Sequence, residues 1–194
     1  MLVTARRRIQ PGIWLALSLA LLATPVFAAE SPSPSDLPVV QPSFYDLPDE
    51  AASLKDARKT LAVYFWQNGC PYCAAFEKKV LTLPGVGKRL AAGFHLIEMN
   101  IFGDREVKDF GGAATTEKKF ARAAGVQFTP TTIFYDHAGK EVFRMPGYWE
   151  PPHVMAALDY VAGGHYRTAN FQDYLREVMT SQQAEGGANA KTGK

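Results

Sequence analysis

Short apolar runs alternate with amphipathic segments through the middle of the chain. The continuous run LAVYFW, residues 61–66, is typical of a strand buried on both faces of a sheet, and FHLIEMNI, residues 94–101, predicts a second strand. Before the first strand, the apolar residues of segment 49–59 fall on one face of a helix. This part of the chain therefore predicts strands joined by helices.

The pattern changes after residue 101. A polar, glycine-containing loop over residues 102–114 precedes TTEKKFARAAG, which predicts a helix ending at Gly125. Residues 131–136 and 141–145 are two short strands separated by the turn HAGK, which predicts a hairpin. Two further helices are predicted, from Pro151 to Gly163 and over residues 171–179. The fold class is therefore α/β, a mixed central sheet with helices on both faces and a helical C-terminus.

The chain divides into four predicted parts. Three arginines, an apolar run and TPVFA predict a signal peptide over residues 1–28, and a retained membrane anchor is the alternative. Residues 29–48 are rich in Pro and Ser and predict an extended linker. Residues 49–181 form the predicted domain, and residues 182–194, with few apolar positions, predict a disordered tail.

The charge balance gives little sign of a basic binding surface. The net charge is +2, and removal of residues 1–28, which hold three arginines and no acidic residue, would bring it to −1. We therefore expect no nucleic-acid partner. The predicted signal peptide implies a periplasmic location, where disulfides persist, and we expect a monomer.

The two cysteines of the chain, Cys70 and Cys73, lie in NGCPYC. A crosslink over so short a loop removes little entropy from the unfolded chain, so it is a poor structural staple. Pro71 suits the first turn of a helix that continues through AAFEKKVL, and free N–H groups there stabilise a thiolate at Cys70. Cys73, one turn later, can attack a mixed disulfide at Cys70. The sequence predicts Cys70 as the nucleophile and Cys73 as the resolving thiol.

Metal and haem sites are weaker interpretations of this pair. A c-type haem site needs His directly after the second cysteine, where this chain has Ala74. The four histidines are scattered without the paired spacing of a zinc site. We expect no metal and no cofactor other than the redox-active disulfide, although a periplasmic metal-binding chaperone that uses the same cysteines stays open as an alternative.

A second candidate feature is Thr129-Pro130-Thr131, directly before a predicted strand. Proline is tolerated at the start of a strand, and a cis bond at Pro130 would leave the Thr129 backbone free to pair with an extended substrate segment. Its place after the cysteine helix and before the hairpin favours this interpretation over an ordinary trans proline.

With these motifs the chain resembles the thioredoxin superfamily, and more closely the periplasmic SoxW-type thioredoxin-like proteins. The resemblance covers about residues 60–176 and rests on several blocks in the same order: FWQNGCPYC, NIFGDREVKDF, TTEKKFARAAGV, FTPTTIFYDHAGKEV, MPGYWEPP and ALDYVAGGHYRTANFQDYL. It implies a thioredoxin fold, dithiol–disulfide exchange, a cis Pro130 that faces the cysteines, and a link to the oxidation of sulfur compounds.

The chain departs from that pattern at the proton acceptor of the resolving thiol. Thioredoxins hold a buried Asp where this chain has Tyr64, and Glu98 lies where they carry a Lys. Glu77, one turn after Cys73, is the preferred acceptor, since CAAFEKK is similar to the C-terminal domain of the membrane thiol:disulfide interchange protein. Glu98 is the other candidate, and solvent exposure is the alternative for both.

The rim of the predicted site also departs from the pattern. Gly69 stands where thioredoxins have an exposed Trp, which would admit a different protein partner, and Tyr72 is expected over the disulfide or against substrate. Tyr148 and Trp149 fit either the groove or the core. The predicted substrate-binding residues are Gly69, Pro71, Tyr72, Thr129 and Pro130.

Together these features predict an exported thiol–disulfide oxidoreductase that acts on a protein thiol or disulfide. We expect reduction of a periplasmic partner, with a membrane electron-transfer protein as reductant, because the chain lacks a dinucleotide-binding glycine-rich turn. A disulfide-forming oxidase is the alternative within the same chemistry.

Overall fold

A four-stranded sheet lies at the centre of the computed structural model, which describes residues 33–191 and the side chains up to residue 181. The strands in chain order are β1 (Thr60–Trp66), β2 (Phe94–Asn100), β3 (Glu106–Lys108), β4 (Ala114–Thr116), β5 (Thr131–Tyr135) and β6 (Glu141–Pro146). The central sheet has the order β2-β1-β5-β6, while β3 and β4 pair separately. β1 runs parallel to β2 and antiparallel to β5, and β5 and β6 form the predicted hairpin.

Helices cover both faces of this sheet. They are α1 (Leu47–Ser53), α2 (Pro71–Phe76), α3 (Pro84–Gly93), α4 (Glu117–Ala123), α5 (Pro151–Ala162) and α6 (Phe171–Lys191), and α2 continues directly into a π-helical turn, Glu77–Leu81. One core packs α2, α3, α5 and the start of α6 on one face, and a second core packs α1 and α4 on the other. Every residue of β1 after Thr60 is buried, as its apolar run predicts for a strand inside the sheet.

The segment before α1 differs from the predicted linker. Val40 bridges to Leu96 of β2, and the Gln41 N–H donates to the Leu96 carbonyl at 2.7 Å. Tyr45 and Leu47 are buried. The segment is rich in Pro and Ser, but it also contains apolar residues that pack against the sheet. The folded part of the chain therefore starts before residue 49.

The first helix is also shorter than predicted, because it begins at Leu47 and ends at Ser53 instead of spanning residues 49–59. The Asp49 N–H donates to the Asp46 side chain at 3.3 Å, which caps the first turn. Arg58 then has φ of 54°, a conformation that no continuous helix contains.

Four elements were not predicted or were predicted shorter. Helix α3 begins at Pro84 and contains Gly85 and Gly87 near its start, which obscure a helical pattern, yet its Val86 and Leu90 are buried. The loop over residues 102–114 contains β3 and the start of β4. The backbone of α6 remains helical to Lys191, which includes most of the segment expected to be disordered.

The predicted signal peptide, residues 1–28, lies outside the described residues. Within residues 33–191, no helix combines the length and the apolar character that crossing a membrane requires.

Candidate active site

The two cysteines lie where the carboxyl end of β1 meets the start of α2. Cys70 and Cys73 form a disulfide with a Cα–Cα distance of 5.2 Å. Cys70 is the N-cap of α2, and the Cys73 N–H donates to Cys70 Sγ at 3.0 Å. The first turn of the helix therefore points a backbone donor at the Cys70 sulfur, and the same donor stabilises a thiolate there after reduction.

The two sulfurs differ in access. Cys73 is 3% exposed, whereas Cys70 is partly exposed, and Pro71 is exposed beside it. A partner can therefore approach Cys70 but not Cys73. This asymmetry agrees with the predicted nucleophile and resolving thiol, whose roles stay predictions.

The loop before β5 faces the disulfide. The Thr129–Pro130 peptide bond is cis, as predicted. Thr129 Oγ1 lies 3.3 Å and its carbonyl oxygen 3.7 Å from Cys70 Sγ. The oxidised sulfur carries no proton, so the carbonyl contact is van der Waals in this state, and a Cys70 thiol could donate there after reduction. The structure thus brings Thr129 and Cys70 together, although they are far apart in the sequence.

A cavity of about 250 Å³ opens beside the disulfide. Its lining residues are Trp66, Gln67, Gly69, Cys70, Pro71, Cys73, Ala74 and Glu77. Glu77 is the only carboxylate among these lining residues, so the structure joins the preferred proton acceptor to the cysteines in one cavity.

Glu77 is half-buried and bonded to the centre of the sheet. The Tyr64 hydroxyl, wholly buried in β1, donates to Glu77 Oε1 at 2.9 Å. Burial raises the pKa of Glu77 above its usual range, and the hydrogen bond from Tyr64 opposes that rise. Burial and the charge of Glu77 raise the pKa of Tyr64, which keeps its proton at physiological pH.

Glu98, the other candidate acceptor, belongs to a separate group of charges. It accepts hydrogen bonds from Trp66 Nε1, from Arg105 at 2.8 Å and from the Tyr45 hydroxyl at 3.3 Å. Arg105 also pairs with the buried Glu117, and its guanidinium carbon lies 3.9 Å from the Tyr45 ring centroid. Glu98 is therefore held by Arg105 and is not among the residues that line the cavity beside the disulfide, although Trp66, which donates to it, is.

Arg105 and Glu117 were not identified from the sequence. A usable signal existed, because a Glu inside a predicted buried strand requires a cation, and Arg105 follows β2 in the next loop.

The surface near the disulfide is open at Gly69 and exposes two aromatic side chains. Gly69 has φ of 70°, and a Cβ added there would find no atom within 4 Å. Tyr72 is 67% exposed and does not enter the core. Phe128, next to Thr129, is also exposed and was not singled out from the sequence.

Tyr148 and Trp149 pack largely inward. The Tyr148 ring meets the Phe76 ring edge-on at 5.9 Å, and the Trp149 ring lies 5.5 Å from that of Phe171. Both residues are partly exposed, and Tyr148 contacts the cysteine helix through Phe76.

Within the described part of the chain, no group of three or more His, Cys, Asp or Glu side chains is arranged to hold a metal ion.

Comparisons with known proteins agree with this architecture. A family model described as a thioredoxin-like domain matches residues 47–162. A thioredoxin-fold protein from Helicobacter pylori is 23% identical, with 69% of this chain and 93% of that chain covered and a TM-score of 0.55. A thioredoxin from Thermus thermophilus is 31% identical, with 60% and 84% covered and a TM-score of 0.47. Comparison with curated proteins gave no match.

The family match covers more than half of the chain and includes the cysteine helix, the cis-proline loop and the hairpin. The predicted thioredoxin fold is thereby confirmed, and the chain belongs to the thioredoxin-like domain family.

Proposed function

We propose that this chain is an exported thiol–disulfide oxidoreductase that reduces a disulfide or oxidised thiol on a periplasmic protein. One observation carries the proposal: the Cys70–Cys73 disulfide caps a helix, with Cys70 accessible, Cys73 buried and the Thr129 backbone beside the Cys70 sulfur. A structural staple would need neither the accessible sulfur nor the facing cis-proline loop. Membership in the thioredoxin-like domain family supports the same chemistry.

The reaction begins from the dithiol. The Cys70 thiolate attacks one sulfur of a substrate disulfide, and the other substrate sulfur leaves as a thiolate that takes a proton from solvent. Cys73 then gives its proton to Glu77 and attacks the Cys70 sulfur of the mixed disulfide, so the second substrate sulfur leaves. Two electrons pass to the substrate, and the Cys70–Cys73 disulfide remains.

The surrounding residues orient these steps. The Thr129 backbone pairs with the substrate segment next to its reactive sulfur, with Pro130 shaping the groove. Pro71 and Tyr72 form the exposed side of the contact, and the open space at Gly69 admits a bulky partner. Glu77 returns its proton to solvent through the cavity before the next cycle.

The donor that restores the dithiol lies outside this chain. A membrane electron-transfer protein reduces the disulfide by the reverse exchange, since the sequence carries no dinucleotide-binding turn. Reduction is the proposed direction because an oxidising compartment needs a catalyst to keep a particular thiol reduced. The SoxW-type sequence blocks make a protein of sulfur-compound oxidation the proposed substrate.

Trapping of the mixed disulfide tests the function. The Cys73→Ser variant, expressed with its full N-terminus in the source organism, should accumulate a partner on Cys70 that dithiothreitol releases. The double variant Cys70→Ser/Cys73→Ser is the matched control and should capture nothing. If the single variant captures no more protein than the control, a protein substrate is refuted.

Two measurements test the direction and the location. A reduction potential close to about −270 mV, as in thioredoxin, supports a reductase, and one close to about −120 mV would instead support the oxidase. Mature protein from the periplasmic fraction should begin at Ala29, and a chain that keeps residues 1–28 would contradict cleavage.

Stoichiometric copper or zinc in reduced protein, lost in Cys70→Ser, would favour the metal chaperone.

A further inference from the structure

The hydroxyl of Tyr64 is held in place from several sides. Its ring is wholly buried in β1 and stacks on Phe76 with a centroid distance of 6.0 Å, and Phe76 in turn meets Tyr148. The hydroxyl therefore has little freedom to turn away from Glu77 Oε1, 2.9 Å away. A rigid donor of this kind fixes the position of the group that accepts from it.

The helix that carries the cysteines changes geometry at Glu77. Residues Pro71–Phe76 are α-helical, and the π-helical turn begins at Glu77 itself. A π-helical turn is wider than an α-helical one and frequently occurs at functional sites. Here it starts at the residue whose carboxylate reaches both the Tyr64 hydroxyl and the cavity that contains Cys70 and Cys73.

Tyr64 and Glu77 differ in their ability to ionise. Tyr64 keeps its proton, because burial raises its pKa, so it acts as a permanent donor. Glu77 can ionise, because the cavity leaves it partly solvated and the Tyr64 hydrogen bond favours the charged form against the burial that raises its pKa. Tyr64 therefore cannot accept a proton as the buried Asp of thioredoxins does, but its hydroxyl can fix the position of a carboxylate that accepts one.

We propose that Tyr64 is a positioning residue, whose hydroxyl fixes the Glu77 carboxylate at the cavity wall to take the proton of the Cys73 thiol. This inference rests on the proposed function above, and it gives a role to Tyr64, which stands where thioredoxins have the buried Asp. In the resolving step, the S–H bond of Cys73 breaks and an O–H bond forms at Glu77. The new sulfur–sulfur bond to Cys70 forms as the bond from Cys70 to the substrate breaks, and the two electrons leave with the substrate sulfur.

The first experiment measures the effect of the Tyr64 hydrogen bond on Glu77 without any turnover. The carboxyl carbon of Glu77 is followed by NMR through a pH titration of the disulfide form, in the natural protein and in Tyr64→Phe. Loss of the hydrogen bond should move the Glu77 midpoint to higher pH. Tyr160→Phe is the matched control, because that buried hydroxyl donates to the Ala169 carbonyl at 2.7 Å and should leave the midpoint unchanged. An unmoved midpoint in Tyr64→Phe overturns the proposal.

The second experiment measures the resolving step. A mixed disulfide of Cys70 with a small aromatic thiol is formed, and release of that thiol by Cys73 is followed over pH. Glu77→Gln should slow release by about 100-fold, a usual contribution of general base catalysis. Tyr64→Phe should shift the midpoint of the release-rate profile to higher pH. At pH values below both midpoints, release should be roughly tenfold slower for each pH unit by which the Glu77 midpoint rises.

A double-mutant cycle separates positioning from a structural effect. If Tyr64 acts through Glu77, Tyr64→Phe/Glu77→Gln should be no slower than Glu77→Gln alone. If the two losses multiply, Tyr64 acts by another route and the proposal is overturned. Should Tyr64→Phe fail to fold, Glu77→Asp repeats the test, because one methylene fewer withdraws the carboxylate from the hydroxyl, and release as fast as in the natural protein overturns the proposal.

These outcomes are distinct from those of the proposed function. Failure of Cys73→Ser to trap a protein would remove the substrate but would leave the Glu77 titration and the release of a small thiol intact. Unchanged titration and release in Tyr64→Phe would remove the role of Tyr64 while trapping still succeeded.

Discussion

Arg105 joins two buried carboxylates, and its replacement by Met gives the sharpest stability prediction. The side chains of Glu98 and Glu117 are each 4% exposed, and Arg105 donates to both. Without the guanidinium, two charged groups remain in the interior with fewer hydrogen bonds. Removal of one partner of a buried pair is costly because the other is left uncompensated.

The expected magnitude follows from these contacts. A hydrogen bond to a charged group contributes about 1.5–3 kcal/mol, so two such bonds correspond to about 3–6 kcal/mol. The lower limit applies, because Arg105 is 40% exposed and water can reach the vacated space. Trp66 Nε1 and the Asn100 N–H also remain as donors to Glu98 and Glu117. We expect a loss of about 3 kcal/mol, or a midpoint lower by roughly 6–12 °C for a domain of this size.

Urea denaturation of the disulfide form, followed by tryptophan fluorescence, measures this loss. Arg122→Met is the matched control, since Arg122 is exposed on α4, and it should change stability by less than about 0.5 kcal/mol. Glu117→Gln added to Arg105→Met should restore part of the loss by removing one buried charge. Equal stabilities of Arg105→Met and Arg122→Met would refute the argument that Arg105 compensates these carboxylates.

Three further predictions concern other parts of the chain. Leu47→Ala, at a wholly buried position, should destabilise the protein by about 2–5 kcal/mol, and a loss as small as that expected for the exposed Leu83→Ala would show that the start of α1 is not part of the core. Burial lowers the pKa of His95 despite the opposing charge of Glu50, so its stabilising contribution is present above about pH 6.5 and is lost as the pH falls. Urea denaturation between pH 5 and 8 should therefore give a flatter profile for His95→Gln than for the exposed His153→Gln, and parallel profiles would contradict it. Gly69→Ala should cost roughly 1–2 kcal/mol from backbone strain alone, because its φ of 70° leaves an added Cβ in open space, and Gly69→Asn should cost less. A larger loss for Asn in the same denaturation assay would point to a steric cause instead.

Much of the fold could be predicted because its signals are local. The apolar run of β1, the turn of the β5–β6 hairpin and the Pro-started α5 each show their character within a few residues. Helix α3 could not be predicted in this way, since it is stabilised by contacts with α5, including the pair of Arg89 and Asp159 at 2.8 Å. The segment before α1 was misjudged for a related reason, because its composition says nothing about the edge strand on which it packs.

The sequence by itself determined the chemistry of the cysteine helix. The spacing of Cys70 and Cys73, with Pro71 between them, sets a disulfide at a helix start through local geometry alone. Only the tertiary structure showed which carboxylate lies in the cavity beside that disulfide. The sequence preferred Glu77 to Glu98 only through a resemblance, whereas the sheet places Tyr64 beside Glu77 at the cavity and Arg105 beside Glu98 at the edge. A side chain's protonation depends on the charges and donors that folding brings within a few ångströms, and those neighbours come from distant parts of the sequence.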